Sequence, residues 1–253
     1  MNIDLSGKLA LITGASGGIG RCIARTFAEC GADVAIHYYK DEISAQKVAD
    51  DIRKIGKKAE IFQADITNAN EINAMKDKIL TKLGSPQIIV NNAVIQYEWK
   101  NILEQDLKDY ESQFQSCVMH NVLMVKAFVP EMIKNRYGRV LAMNTECAME
   151  MHETQSAYVA GKRGMDGVLK VLAREVGEFG ITINQVAPGW TITEKFGGKL
   201  PEGAEEYAES LPLKRMGTDQ EVANVLAFLA SDLASFITGA YIPVCGGNVM
   251  PTI

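Results

Sequence analysis

The 253-residue chain is expected to fold as one α/β domain built on a doubly wound parallel sheet. Two observations predict it. Short apolar runs alternate with amphipathic helical stretches at a period of roughly thirty residues, as right-handed βαβ units do when helices cover both faces of a sheet. The first strand–helix junction reads Thr13-Gly14-Ala15-Ser16-Gly17-Gly18-Ile19-Gly20. Glycines there let the backbone reverse sharply and let a phosphate approach with no Cβ in the way. The helix that follows aims its unpaired N–H groups and the positive end of its dipole at the same place. The spacing Gly14-x-x-x-Gly18-x-Gly20 is a variant of the dinucleotide fingerprint. The sheet is therefore expected to be Rossmann-like and to hold its ligand at the carboxyl ends of its strands.

In chain order, Leu9-Ala10-Leu11-Ile12 is the first strand, and Ile19, Ile23 and Phe27 share one face of the first helix. Residues 32–38 form the second strand. Its end offers His37, Tyr38, Tyr39 and Lys40 before the first carboxylate, Asp41. Folds of this kind that prefer NAD place an acidic residue here to bind the ribose hydroxyls. The missing carboxylate and Lys40 favour a 2′-phosphate and hence NADPH. The competing reading makes Lys40 a solvated loop lysine, its field diluted by Asp41 and Glu42. Residues 43–55 form an amphipathic helix, and residues 59–66 a third strand. Asp65 near that strand's end can cap the next helix, accept from an adenine amine, or do both. Residues 72–83 are helical, and the fourth strand, 87–90, runs into Asn91-Asn92-Ala93-Val94. The glycine turn, Tyr38 to Lys40, Asp65 with Ile66, and Asn92 with Ala93 all fall at strand carboxyl ends. The candidate cofactor site thus takes in Gly14, Ser16, Gly18, Ile19, Gly20, Lys40, Asp65, Ile66, Asn92 and Ala93.

Further along, residues 96–105 read as a loop, 107–134 as a long helical stretch in one or two pieces, 138–145 as a fifth strand and 158–179 as another long helix. A sixth strand, 181–186, is broken by Ala187-Pro188-Gly189. The stretch 191–216 is irregular and acidic and reads as a substrate lid. A last helix, 221–231, and a last strand, 241–244, precede Gly246-Gly247. No repeat, low-complexity tract or linker interrupts the chain, so residues 1–253 are taken as one domain.

Composition narrows the partners. Hydrophobic residues make up 47% and charged residues 23%, ordinary for a globular protein. A net charge of −5 leaves no basic footprint for nucleic acid or anionic lipid. The five cysteines are odd in number with no Cys-x-x-Cys pair, which suits reduced thiols in the cytoplasm. No run is apolar for long enough to span a bilayer, and the start of the chain lacks the order of a signal peptide. Histidines dispersed at 37, 120 and 152 argue against a metal cluster.

Tyr158 alone among the eight tyrosines has a lysine four residues later, Lys162. On a helix the two share a face. An ammonium beside a phenol favours the phenolate and lowers its pKa, which suits proton exchange with an alcohol or carbonyl oxygen. The Thr145 hydroxyl, on the preceding strand end, can hold the same oxygen.

These motifs together resemble the short-chain dehydrogenase/reductase family along nearly the whole chain. The matching residues are Thr13-Gly14-x-x-x-Gly18-Ile19-Gly20, Asp65, Asn91-Asn92-Ala93, Tyr158-x-x-x-Lys162, Pro188-Gly189 with Thr193, and Ile237-Thr238-Gly239. The resemblance implies that Tyr158 is the proton donor and that Lys162 binds the nicotinamide ribose and lowers the tyrosine pKa. It puts Thr193, after Pro188, on the nicotinamide amide, Asp65 on the adenine, and Asn92 and Ala93 along the cofactor. The cofactor is then NADP(H), with NAD(H) not excluded, and the substrate a small carbonyl or alcohol. Assembly as a homotetramer through the two long helices and the last strand is implied in the same way. Arg136 and Arg174 match a carrier-protein patch of 3-oxoacyl-carrier-protein reductases, which makes acyl carrier protein a candidate partner.

The chain also departs from the family pattern. Val94 stands where glycine is usual, and Thr145 where serine is usual. Cys117 occupies the place of a helix asparagine that supports a proton-relay water, with Asn121 one turn further on able to substitute only if the helix register shifts. Cys245 precedes the tail glycines where aspartate is common. The first functional reading is therefore a reversible reductase of a ketone or aldehyde. The alternative is a cofactor-binding protein with weak or no turnover, and a lyase or epimerase is a third. The substrate pocket is expected along residues 96–99, 146–152 and 190–196.

Overall fold

Continuous apolar runs, lacking the in–out alternation of a half-exposed strand, become strands with helices on both faces. The structure is a computed structural model that describes residues 2–197 and 200–251. Strand β1 is Leu9–Ile12, buried at every position. It is followed by α1 (Gly18–Glu29), β2 (Asp33–Tyr38), α2 (Glu42–Lys54), β3 (Ala59–Gln63), α3 (Ala69–Lys82) and β4 (Ile88–Asn91). The second half contains α4 (Leu107–Gln113), α5 (His120–Asn135), β5 (Gly138–Met143), the short α6 (Cys147–Glu150), α7 (Ser156–Val176) and β6 (Ile181–Pro188). Then come β7 (Thr191–Ile192), α8 (Ala204–Ser210), β8 (Gly217–Thr218), α9 (Asp219–Ala230) and β9 (Tyr241–Val244).

Among the described residues, seven strands make one sheet in the order β3-β2-β1-β4-β5-β6-β9, and every neighbouring pair is parallel. Helices α1, α2 and α9 cover one face, and α3, α5 and α7 the other. Ile23 and Phe27 of α1 are completely buried, each contributing about 1.5–3 kcal/mol of transfer free energy. The fold is the expected doubly wound one.

Four elements differ from the sequence reading. Asp65 does not cap α3. Strand β3 ends at Gln63, and the Asp65 carboxylate instead accepts from the Thr67 N–H and hydroxyl at 2.8 and 2.7 Å. Asn68 is the cap, accepting from the N–H groups of Asn70 and Glu71. Strand β6 is not broken at Ala187 but pairs through Pro188, opposite Val244, and a proline at the last strand residue removes no ladder bond. The stretch 191–216 is not irregular throughout. It holds β7, a 3-10 turn at Glu194–Phe196 and α8, while residues 198 and 199 of the expected lid lie outside the described residues. Finally, α4 and α5 are one continuous helical run joined by a π-helical segment, Phe114–Met119.

That segment is seated tightly on α7. A Cβ on Gly161 would stand 2.9 Å from the Gln113 carbonyl oxygen and 3.2 Å from Cys117 Cβ. Gly161→Ala is therefore expected to destabilise the protein by about 1–3 kcal/mol, as overpacking does. Gly167, two turns further along the same helix, has nothing within 4 Å of its added Cβ. Gly167→Ala should leave stability unchanged or raise it by about 0.5–1 kcal/mol, the helix-propensity difference. Chemical denaturation of both variants checks the contrast, and equal effects would contradict this packing.

Candidate active site

The crevice lies where the strand order turns back on itself, between β1 and β4. Thr13 closes this seam. Its N–H donates to the Val90 carbonyl at 3.0 Å, and its hydroxyl oxygen accepts from the N–H groups of Asn92 and Ala93 at 2.9 and 3.1 Å. Asn92 returns the tie, its Nδ2 donating to the Thr13 carbonyl at 2.9 Å. Gly14 takes φ +66°, and a Cβ there would press on Ala93 Cα at 3.1 Å. A Cβ on Gly20 would collide with the Gly14 carbonyl and stand 2.6 Å from Asn92 Nδ2. The glycines are therefore required by the closeness of the seam as well as by any ligand. The first turn of α1 is left open. Gly17 brings no side-chain cap and no acidic residue sits in that turn, so its N–H groups are available to an anion.

The cleft in front of this turn measures about 590 Å³, within the range that encloses a small-molecule ligand. Its wall contains Gly14, Ser16, Gly18, Ile19, Gly20, Lys40, Asp65, Ile66, Asn92 and Ala93 together. An open helix N-terminus and a glycine floor fit a dinucleotide's phosphates. Lys40 is exposed, its ammonium 5.0 Å from the centre of the Tyr39 ring. Asp41 caps α2, one carboxylate oxygen accepting from the Ser44 N–H at 3.0 Å. Bonds from Ser44 hold its pKa below the usual carboxylate range.

Two residues that sequence reasoning missed complete this cleft. His37 is buried beneath the glycine turn. Its Nδ1 accepts from the Gly14 N–H at 3.0 Å and its Nε2 donates to the Ala64 carbonyl at 3.0 Å. Both bonds need the neutral ring, and burial brings its pKa down to about 4. A lone polar residue inside an apolar strand was its only signal. Lys195, in the 3-10 turn after Thr193, also reaches the cleft wall, and no periodicity marks it.

Tyr158 and Lys162 lie one turn apart on α7. Thr145, just past β5, lies beside the Tyr158 phenol, while its hydroxyl oxygen accepts from the Cys147 N–H at 3.2 Å. The three are thus brought together as expected. The loop 96–105 lies on the phenol: the Trp99 ring stacks on it with centroids 6.0 Å apart, and the Tyr97 hydroxyl accepts from the Tyr158 N–H at 2.8 Å. The expected lowering of the tyrosine pKa is corrected. Burial, the largest cause, pushes the Tyr158 hydroxyl up. The Lys162 ammonium lies 5.6 Å from the ring centroid but donates to the Met143 carbonyl at 2.5 Å. Burial lowers the Lys162 pKa in turn. Sharing a helix face brought the ammonium near, yet it reaches past the phenol to the strand, and desolvation outweighs its pull. In this arrangement Tyr158 carries its proton at neutral pH and Lys162 keeps further N–H donors for another acceptor.

Cys117 is buried in the π segment, its thiol donating to Gln113 Oε1 at 3.7 Å. The register does shift here, but Asn121 does not replace the missing asparagine. Its Oδ1 accepts from Asn91 Nδ2 at 2.7 Å and its Nδ2 donates to the Cys117 carbonyl at 2.7 Å, so the amide is consumed. His120 is wholly buried, its Nε2 without a hydrogen-bond partner, and burial brings its pKa down to about 3.

On the substrate side, Glu146 is buried. Its carboxylate accepts from the Tyr207 hydroxyl at 2.7 Å and from Asn248 Nδ2 at 3.0 Å, tying α8 and the tail to the residue beside Thr145. Burial raises its pKa. Pro188 holds the same corner, its carbonyl accepting from the Glu146 N–H at 3.0 Å. Thr193 begins the turn that carries Lys195. His152 is exposed and pairs with Glu150.

Residues 14–248 match the family model described as "Enoyl-(Acyl carrier protein) reductase". The chain is 35% identical to the 3-oxoacyl-[acyl-carrier-protein] reductase of Staphylococcus aureus strain N315 over 253 residues, covering 96% of this chain and 98% of that protein. Among solved structures, a 7α-hydroxysteroid dehydrogenase complexed with NADH and 7-oxo glycochenodeoxycholic acid superposes with a TM-score of 0.91 at 31% identity, covering 99% of this chain and 97% of that one. A putative gluconate dehydrogenase from Agrobacterium tumefaciens superposes with a TM-score of 0.92 at 27% identity, covering 99% and 100%.

The buried histidines give the site a pH dependence. Their folded pKa values of about 4 and about 3 lie below the ordinary histidine value of 6.5, so between those limits the unfolded chain binds more protons. Stability is present above pH 6.5 and is lost as pH falls toward the folded values. Each histidine contributes a slope of roughly 1 kcal/mol per pH unit. The urea midpoint should fall from pH 6.5 to 5, above most carboxylate titration, and fall less in His37→Gln. A flat midpoint over that interval would contradict the buried neutral rings.

Proposed function

Because the chain belongs to the short-chain dehydrogenase/reductase family, we propose that it is a nicotinamide-dependent oxidoreductase that interconverts a carbonyl and an alcohol, with Tyr158 as the proton donor and acceptor. The observation that carries this reading is the assembly, along the carboxyl edge of one sheet, of a dinucleotide-sized cleft and, beyond it, of Thr145 just past β5 with Tyr158 and Lys162 one turn apart on α7. The nicotinamide cofactor, when bound, supplies or accepts the hydride. The chain's residues do the rest. The open first turn of α1, with Gly14, Ser16, Gly18, Ile19 and Gly20, binds the phosphates. Asp65 and Ile66 take the adenine side, and Asn92 and Ala93 line the middle of the cofactor. Lys162 uses its remaining N–H donors on the ribose, while Pro188 and Thr193 bound the nicotinamide end. Thr145 orients the substrate oxygen and Tyr158 delivers a proton to it. At neutral pH the phenol carries its proton, the form required to donate to a carbonyl oxygen undergoing reduction; in the reverse direction the same group takes the alcohol's proton.

NADP(H) is the proposed cofactor. Asp41 is committed to the α2 cap, and Tyr38 and Tyr39 offer no carboxylate to a ribose 2′-hydroxyl, which leaves Lys40 beside that position. The NADH complex of the 7α-hydroxysteroid dehydrogenase keeps NAD(H) as the second reading. The relatives' names suggest an acyl thioester on acyl carrier protein as one substrate form. Arg136 and Arg174 weigh against direct docking at this chain's own site. Arg174 lies about 24 Å along α7 from Tyr158 at 1.5 Å per residue, and Arg136 is already bonded to the Glu178 carbonyl. A homotetramer is proposed from the exposed apolar residues Phe114, Val171 and Phe236 on the long helices and near the last strand. Among the described residues no helix is long and apolar enough to cross a membrane, and the five cysteines are free, which supports a cytoplasmic setting. Negative net charge supports the expectation of no nucleic-acid or membrane partner.

Tyr158→Phe is expected to cut carbonyl-dependent oxidation of the reduced cofactor by about 10²–10⁴-fold, the usual contribution of a positioned proton donor. Cofactor affinity, followed by fluorescence, should change little. Surviving turnover would remove Tyr158 from this role. Titration of the unmodified protein should give tighter binding of NADPH than of NADH, and the reverse order would overturn the cofactor assignment.

A further inference from the structure

Lys195 belongs to none of the motifs that mark the dinucleotide fold, yet it is part of the cleft wall. Its stem lies over the glycine turn. Cε stands 3.5 Å and Nζ 3.9 Å from the place a Cβ on Gly17 would occupy, and Cε is 3.9 Å from the same place on Gly18. Glu194, the preceding residue, lies beside Arg21 in the first turns of α1. Lys195 is exposed, and its charge also acts on Asp41, helping to hold that carboxylate's pKa down. Its ammonium stands over the glycine turn, beside the uncapped first turn of α1, where an anion would meet both.

The surrounding charges support an anion between them. Lys40 stands on the same wall. The nearby carboxylate, Asp41, spends one oxygen on the α2 cap, and Asp65 spends one on Thr67. Nothing in the glycine turn itself carries charge, so the positive groups available to a phosphate are the helix N–H groups, Lys40 and Lys195.

We propose that Lys195 is a specificity-determining ligand for a phosphate of the bound dinucleotide, reaching from the segment after Thr193 across Gly17 to the anion held at the α1 N-terminus. Phosphate recognition is then divided between the glycine turn and a segment far along the chain. The inference rests on the dinucleotide reading of the cleft. The shared chemistry is a phosphate oxygen accepting from an ammonium. It belongs either to the pyrophosphate, present in both cofactors, or to the 2′-phosphate, present only in NADP(H).

The test is fluorescence titration of NADPH and NADH into the full chain and into Lys195→Gln, Lys195→Arg and, as a remote control, Lys82→Gln. Charge-assisted bonds to phosphate are strong ones, so Lys195→Gln should weaken binding by about tenfold. The loss should shrink in 1 M salt, where exposed charges are screened. Lys195→Arg should restore most of the affinity, and Lys82→Gln should match the unmodified protein. Equal loss for both cofactors upholds the proposal and identifies the pyrophosphate. Loss for NADPH alone upholds it and identifies the 2′-phosphate. Unchanged affinity for both in Lys195→Gln overturns it and leaves the dinucleotide reading intact. Failure of the unmodified protein to bind either cofactor would overturn both.

Discussion

The seam between β1 and β4 is the constraint on which the rest of the site depends. Thr13 and Asn92 exchange bonds across it, and Gly14 and Gly20 have no room for a side chain because of it. Once those two strand ends are drawn together, the chain leaving β1 must turn on glycine. The helix that begins there must then present bare N–H groups to the crevice. His37 supports the turn from below, spending both ring nitrogens on the Gly14 N–H and the Ala64 carbonyl. The open turn that would receive a phosphate is thus built by packing, and its cost in conformational freedom is met by folding.

The proton-transfer side depends on a different physical balance. Tyr158 stacks under Trp99, and desolvation is the largest influence on its hydroxyl. Lys162 is drawn to the Met143 carbonyl. In the proposed role, such a phenol carries its proton at neutral pH, as a donor to a carbonyl oxygen must. The departures from the family pattern fall behind this pair. Cys117 turns its thiol to Gln113, and Asn121 is spent on Asn91 and the Cys117 carbonyl. No side-chain amide therefore stands where the family's relay asparagine would. Glu146 does not offer itself to substrate either, since Tyr207 and Asn248 occupy its carboxylate.

How much of this was legible in the sequence follows from how local each determinant is. The doubly wound sheet was legible because strands buried on both faces must be continuously apolar, and the glycine turn because no other residue fits its φ angles and contacts. Tyr158 and Lys162 could be paired from helix geometry alone. The consequence of the pairing could not, because the direction of a lysine stem and the dryness around a phenol depend on β5 and on the loop 96–105. The π segment at Phe114–Met119 leaves no mark in composition or spacing. Asp65 looked like a helix cap because the strand ends earlier than its apolar run suggests, which hands the capping role to Asn68. Lys195 fell only within the stretch 190–196 expected to line the substrate pocket; its approach to Gly17 follows from how a loop folds rather than from any period.

The most direct test of hydride transfer at this site is isotopic. Supply the protein with NADPH carrying deuterium at the transferable C4 position and a ketone that it reduces, and locate the label in the alcohol by mass spectrometry and NMR. Deuterium on the carbinol carbon, with the hydroxyl proton drawn from solvent through Tyr158, is the expected result. Carbon-bound label arising instead from D₂O with unlabelled cofactor would mean proton-abstraction chemistry, and would contradict the role assigned to the cleft and to Tyr158.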